Sequence, residues 1–261
     1  MASAFASFTV SRGPCTFQLR TAGSGPPLWY LHDETSAAPG ALAGQLAERF
    51  QVFAPVVPGF GDSERPEWVE TSEDVAHVLL DLVDAVTPDG PLTLVGPSIG
   101  GWIAAELAIL LGRRVAAAVL VAPAGLYVPE EPPADHWFMH DADRDRTLFA
   151  DPANKPEITP DEAYANDSMA ARLGWNPRLA SKRLGHKLHR ITAPTLVVWG
   201  AEDRLLPPSY AQRWVDLLGN GTAEIVPGGA HFLGIEQCDV VAAAARGFLD
   251  RHVATLPEAV R

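Results

Sequence analysis

Three residues far apart in this sequence could together carry nucleophilic chemistry. Gly96-Pro97-Ser98-Ile99-Gly100-Gly101 places a serine with a glycine two positions away on either side. A serine hydroxyl becomes a nucleophile when a base takes its proton and an acid orients that base. His231, in Gly229-Ala230-His231-Phe232, could be the base, and Asp203, in Gly200-Ala201-Glu202-Asp203, the acid. Glu202, Glu130 and Glu131 stand as alternative acids, and Ser98 could instead be only a helix N-cap. The chemistry open to the set is attack on a carbonyl carbon, giving an acyl-enzyme that water releases.

Such a serine must sit on a sharp turn between a strand and a helix, where glycines let the backbone close up without Cβ collisions. The flanks fit: Leu92–Val95 reads as a strand and Ser98–Leu111 as a helix. The remaining pattern also alternates. Phe5–Val10 and Cys15–Thr21 read as strands about the turn Arg12-Gly13-Pro14; Leu28–Leu31, Gln51–Val57, Val115–Val121, Thr195–Trp199 and Thr222–Val226 follow as strands. Ala41–Phe50, Thr71–Val86, Ser209–Leu218 and Gln237–Val253 read as helices. In the second of these, Val75, Val78, Leu79, Leu82, Val83 and Val86 draw one apolar face, with Ser72 as N-cap. Short apolar strands alternating with helices predict an α/β fold, its mostly parallel sheet covered by helices on both faces. Between 125 and 190 the periodicity fails, so the core spans 1–124 and 191–261 around an insertion at 125–190. Asp203 and His231 both fall just past strands, where open α/β sheets place their ligands.

The chain resembles the α/β-hydrolase-fold superfamily, in its serine-nucleophile, cofactor-free group of small esterases, lactonases and carbon–carbon hydrolases. Five segments carry the resemblance: Leu31-His32, Pro58-Gly59-Phe60-Gly61-Asp62-Ser63, Gly96–Gly101, Pro194–Asp203 with Pro207, and Gly229–Phe232. It implies Ser98 as nucleophile, His231 as base, Asp203 as acid, 125–190 as a short helical cap, and no metal or organic cofactor. It also implies an oxyanion hole from the backbone N–H groups of Ile99 and Glu34. Where relatives carry His-Gly, however, this chain has His32-Asp33-Glu34, and carboxylates there oppose an oxyanion unless both side chains point away. Pro97 replaces the Asn typical of meta-cleavage carbon–carbon hydrolases, and Ser98 is not the carboxylate nucleophile of epoxide hydrolases and dehalogenases.

His32, Asp33, Trp137 and Phe232 are pocket candidates, with Trp137, Phe138 and Met139 also able to serve as cap core. The leading expectation is hydrolysis of a small, largely apolar ester, thioester or lactone. Carbon–carbon hydrolysis of a dienoic or β-diketone substrate is the alternative, and would need a cation from Arg172, Arg178, Lys182, Arg183 or Arg190 for the substrate's carboxylate. A ligand-binding protein of low turnover is the third. His136 and His140, four apart, are a weak metal motif, and Asp141-Ala142-Asp143-Arg144-Asp145 fails as a calcium loop because Arg146 replaces its glycine, leaving a solvated acidic loop. Among other histidines, His77 is expected in solvent and His252 near the end of the last helix.

The 261 residues carry 32 acidic against 20 Lys and Arg side chains, a net charge of −12 without a basic run, which argues against nucleic acid or an anionic membrane as partner. A small-molecule substrate and a monomer or homodimer are expected instead. Val115–Ala124, the strongest apolar stretch, is far shorter than the roughly 20 residues of a membrane helix. No signal peptide is visible in Met1–Arg12, and Cys15 and Cys238 form no close pair, so a cytoplasmic location with reduced thiols is expected.

Overall fold

A computed structural model describes residues 5–13 and 15–253. Residues 1–4 and 254–261 of the expected core, and Pro14 of the expected turn, lie outside the described residues. In chain order the first strands and helices are β1 (Ala6–Arg12), β2 (Cys15–Ala22), β3 (Pro27–Tyr30), α1 (Gly40–Leu46), β4 (Gln51–Pro55), α2 (Ser72–Val86), β5 (Leu92–Pro97), α3 (Ser98–Leu111) and β6 (Val115–Val121). Then come β7 (Gly125–Leu126), α4 (Asp141–Leu148), α5 (Pro160–Gly174) and β8 (Ala180–Ser181). The chain closes with β9 (Thr195–Gly200), α6 (Ser209–Leu217), β10 (Gly221–Val226), α7 (Leu233–Glu236) and α8 (Cys238–His252).

Eight strands form one sheet in the order β1-β2-β4-β3-β5-β6-β9-β10. From β4 to β10 every pairing is parallel; β1 with β2, and β2 with β4, are antiparallel. The central strands β5, β6 and β9 are buried almost throughout and apolar apart from Thr93 and Thr195, because helices cover them, whereas edge strands β1 and β10 are largely exposed. Helices α2 and α3 pack together, as do α1, α7 and α8. α3 is buried on almost every side, which explains why it shows no clear amphipathic stripe. Both cysteines are free, and no helix of the described residues is long and apolar enough to cross a membrane.

The amphipathic face of α2 is buried as its spacing predicts, but its cap differs. Thr71, not Ser72, is the N-cap: its hydroxyl accepts from Asp74 N–H at 3.1 Å, and Asp74 Oδ2 accepts from Thr71 N–H at 2.9 Å. Ser72 is already helical and buried. A reciprocal box of this kind satisfies two orphan donors at once. Thr71→Ala is expected to cost about 1 kcal/mol of stability, measured as a lower urea midpoint at unchanged m-value.

Candidate active site

The turn from β5 into α3 holds Ser98 at φ +46°. A side chain is rarely found in that left-handed conformation, and it persists only where its surroundings fix it. Here they do. A Cβ on Gly96 would lie 2.4 Å from the Gly100 carbonyl oxygen, and one on Gly100 would lie 2.1 Å from that of Leu31. Backbone therefore packs on backbone at both glycines, and the serine is lifted between them. Ala124 N–H adds a hydrogen bond to the Ser98 carbonyl at 3.1 Å.

Two further loops bring polar groups to the serine. The loop after β9 lies against the turn after β10: Ala201 N–H donates to Val226 O at 2.9 Å and Glu202 N–H to Gly229 O at 2.8 Å. Asp203 Oδ1 accepts from the N–H groups of Leu205 and Leu206, both at 2.9 Å, which leaves Oδ2 for His231 Nδ1 at 2.8 Å. His231 Nε2 is 2.8 Å from Ser98 Oγ. All three side chains are buried. The sequence-predicted trio is thus assembled, and Glu131, one alternative acid, instead bonds Ser209 and Tyr210. Burial alone would lower the His231 pKa; the Asp203 carboxylate, helped by Glu34 and Asp33, reverses this and holds it above the usual histidine value. The Ile99 N–H falls in the first turn of α3, where no intrahelical carbonyl can accept from it.

Glu34 departs from expectation. Its side chain points at the nucleophile, with Oε1 3.0 Å from Ser98 Oγ. The local turn is the cause. Asp33 Oδ1 accepts from Thr35 N–H at 2.8 Å and from the Thr35 hydroxyl, which folds the segment back and swings Glu34 inward. Burial raises the pKa of Glu34, as it does that of Asp33.

A cavity of about 90 Å³ adjoins this carboxyl. Phe232 and Glu34 line it; His32, Asp33 and Trp137 do not. His32 is tied into the fold, its Nε2 accepting from Val57 N–H at 3.0 Å, and burial lowers its pKa to about 4, leaving it neutral. Trp137 packs on Trp175, ring centroids 5.7 Å apart. Its neighbour His136 is the buried residue that reaches the cavity, joined by Leu148 and Phe149. His136 and His140 cannot share a helix face, since α4 begins only at Asp141. Among the described residues no cluster of three or more His, Cys, Asp or Glu is placed to hold a metal.

The acidic run expected as a loop is the start of α4, and it supplies a cavity cation that sequence reasoning missed. Arg144 forms a two-pronged pair with Asp167 of α5, one bond being 2.7 Å, and Lys155 pairs with Asp145 at 2.9 Å. The five expected cations lie elsewhere. Arg178 bonds Asp135, Lys182 stands over the Tyr127 ring, Arg172 lines an outer groove beside Trp175, and Arg183 and Arg190 are exposed. The i, i+3 spacing of Arg144 from Asp141 within a helix-forming stretch was the only available signal, and it does not say which face turns inward.

A model of the alpha/beta hydrolase family matches residues 21–244. The 2-hydroxy-6-oxo-6-(2'-aminophenyl)hexa-2,4-dienoic acid hydrolase of Metapseudomonas resinovorans is 25% identical over 269 residues, covering 96% of this chain and 93% of that protein. The 2-hydroxymuconate semialdehyde hydrolase of Pseudomonas sp. strain CF600 is 28% identical over 261 residues, covering 88% and 89%. Naproxen esterase (carboxylesterase NP) of Bacillus subtilis shares the fold with a TM-score of 0.76 at 18% identity, over 95% of this chain and 92% of that one. The serine turn depends on close backbone contact, so Gly100→Ala is expected to destabilise the protein by about 3 kcal/mol or more, read from denaturant unfolding.

Proposed function

Because this chain belongs to the alpha/beta hydrolase family, we propose that it is a serine hydrolase of small, uncharged, largely apolar esters, thioesters or lactones. The observation that carries the reading is the unbroken line Asp203–His231–Ser98, with both hydrogen bonds at 2.8 Å. His231 Nε2 takes the Ser98 proton as Oγ bonds to the substrate carbonyl carbon. Asp203 holds Nδ1–H, fixes the tautomer and stabilises the imidazolium. The Ile99 N–H, at the positive end of α3, faces the developing negative charge. Collapse expels the leaving group, which takes the proton from His231, and water repeats the sequence to free the acid.

The cavity supports an uncharged substrate. Its two cations, Arg144 and Lys155, are each committed to an aspartate, and Glu34 adds an acidic group beside the nucleophile. An anionic substrate would meet no unpaired positive charge among these lining residues. We propose 125–190 as the cap, because His136, Arg144, Leu148, Phe149 and Lys155 in the cavity wall all come from it. A second reading, hydrolysis of a carbon–carbon bond in a dienoic acid, is supported by the named activities of the two curated relatives. It would require Arg144 to exchange Asp167 for the substrate's carboxylate.

A fluorophosphonate should label Ser98 once and rapidly, located by peptide mass spectrometry, and Ser98→Ala and His231→Ala should not be labelled. Asp203→Asn should slow turnover on the order of 10³–10⁴-fold. p-Nitrophenyl butyrate should be cleaved faster than the dodecanoate, and a dienoic ring-fission acid should keep its visible absorbance. Loss of that absorbance at a higher kcat/KM than for the butyrate would put the second reading first.

A further inference from the structure

We infer that Glu34 is a further catalytic residue, whose carboxyl group, as the neutral acid, donates a hydrogen bond to Ser98 Oγ at rest and to the substrate's oxygen as it becomes the oxyanion. This rests on the serine-hydrolase reading above.

Proton counting supplies the first argument. Ser98 Oγ lies within hydrogen-bond distance of two groups, His231 Nε2 at 2.8 Å and Glu34 Oε1 at 3.0 Å, yet the hydroxyl has one proton to give. With Nδ1–H committed to Asp203, only two arrangements satisfy both contacts. In one, His231 is neutral, Ser98 donates to Nε2, and Glu34 is an acid donating to Oγ. In the other, His231 is an imidazolium donating to Oγ, and Ser98 donates to a Glu34 carboxylate. The two hold the same number of protons, and only the first leaves His231 able to act as a base.

Solvation supplies the second. Glu34 Oε2 is sealed from solvent and has no hydrogen-bond partner. A carboxylate there would leave charge on an oxygen nothing stabilises, whereas a neutral acid, protonated on Oε1, leaves only an idle acceptor. The charged and titratable neighbours are mixed. Asp33 from the same segment opposes ionisation, His231 from the turn after β10 favours it when charged, and Arg144 from α4 also feels Glu34, although Asp167 of α5 engages it. Burial outweighs these and shifts the group toward its neutral form.

Position supplies the third. Glu34 is the residue expected to supply a backbone donor, and the structure sets its carboxyl group, 3.0 Å from Oγ, beside the nucleophile. The oxyanion shares its carbon with Oγ, so a donor already on Oγ reaches it by a small side-chain rotation. In the step, the Ser98 proton passes to Nε2, the Oγ–C bond forms, and the carbonyl π pair moves onto oxygen, where the Glu34 O–H donates. When the carbonyl reforms and the leaving-group bond breaks, His231 supplies the proton to the leaving group and Glu34 keeps its own. A protonated carboxylic acid can serve as an oxyanion donor where its site is apolar.

The test compares wild type, Glu34→Gln and Glu34→Ala by the rate of Ser98 labelling with a fluorophosphonate and by kcat and KM on p-nitrophenyl butyrate, each against pH. Wild type should give a bell, its two apparent pKa values belonging to the His231–Glu34 pair. Glu34→Gln, whose amide still donates and cannot ionise, should keep kcat within about tenfold and lose the alkaline decline. Its acid limb should stay near that of wild type, because Glu34 is already neutral while His231 loses its proton. Glu34→Ala should lose roughly 10²–10³-fold in kcat with little change in KM. Three results would overturn the assignment while leaving the hydrolase reading intact: Ala equal to wild type, Gln as impaired as Ala with the alkaline limb retained, or either variant faster than wild type. Absence of Ser98 labelling in folded wild type would overturn the hydrolase reading itself, and this inference with it.

Discussion

A close backbone contact in the protein's interior governs its site. Gly100 packs against the Leu31 carbonyl so tightly that a single methyl group would overlap it. That contact joins the start of α3 to the end of β3, so the serine and the His32–Glu34 segment are positioned together. Ser98 can hold φ +46° because neither neighbour can relax: β5 is a buried central strand and α3 is buried on almost all sides. A strained residue of this kind costs on the order of 1–3 kcal/mol, and large burial of flanking elements offsets it. The Thr35 hydrogen bonds to Asp33 then finish what the glycine contact begins, by turning the next side chain toward the hydroxyl.

Three carboxyl groups, those of buried Asp203 and Asp33 and half-buried Glu34, stand near one imidazole, and their hydrogen bonds differ. Asp203 has two backbone N–H donors on one oxygen and His231 on the other. Asp33 has Thr35, through both N–H and hydroxyl. Glu34 has the serine on one oxygen, and the other oxygen has nothing. Burial penalises every carboxylate, and each donor offsets part of that penalty. The hydrogen bonds thus distinguish Asp203, held by donors on both oxygens, from Glu34, which has far fewer, although both are plain acidic side chains.

Much of this was legible from residue types. The strand–helix alternation and the serine flanked by glycines follow from rules of periodicity and steric exclusion that act over a few residues. Ser98–Leu111 and Val115–Val121 coincide with their expected bounds for that reason. The direction of Glu34 was not legible, because it depends on the Asp33–Thr35 turn and on a backbone contact between segments nearly 70 residues apart. The cavity cations were hidden for a related reason. An acidic run with interspersed arginines reads as solvated surface, and only the packing of α4 on its neighbours turns Arg144 inward. The cap of α2 slipped by one residue because Thr71 and Ser72 are equally good N-caps locally. Asp74, three residues after Thr71, decides between them.

The pairing of Arg144 with Asp167 has two consequences that pull together. It ties α4 to α5, and so shapes the wall of the cavity. It also neutralises the cavity's best-placed cation. An anionic ligand could claim the guanidinium only by displacing Asp167, which would release a carboxylate in a partly buried wall and loosen the two helices. Breaking such a pair costs more than making a new one returns, unless the incoming group is equally well oriented. An uncharged carbonyl compound asks for none of this. It needs the apolar surface of Leu148, Phe149 and Phe232 on one side and hydrogen-bond donors on the other. A neutral Glu34 suits that arrangement, because its charge, if present, would repel the oxyanion of the proposed serine chemistry.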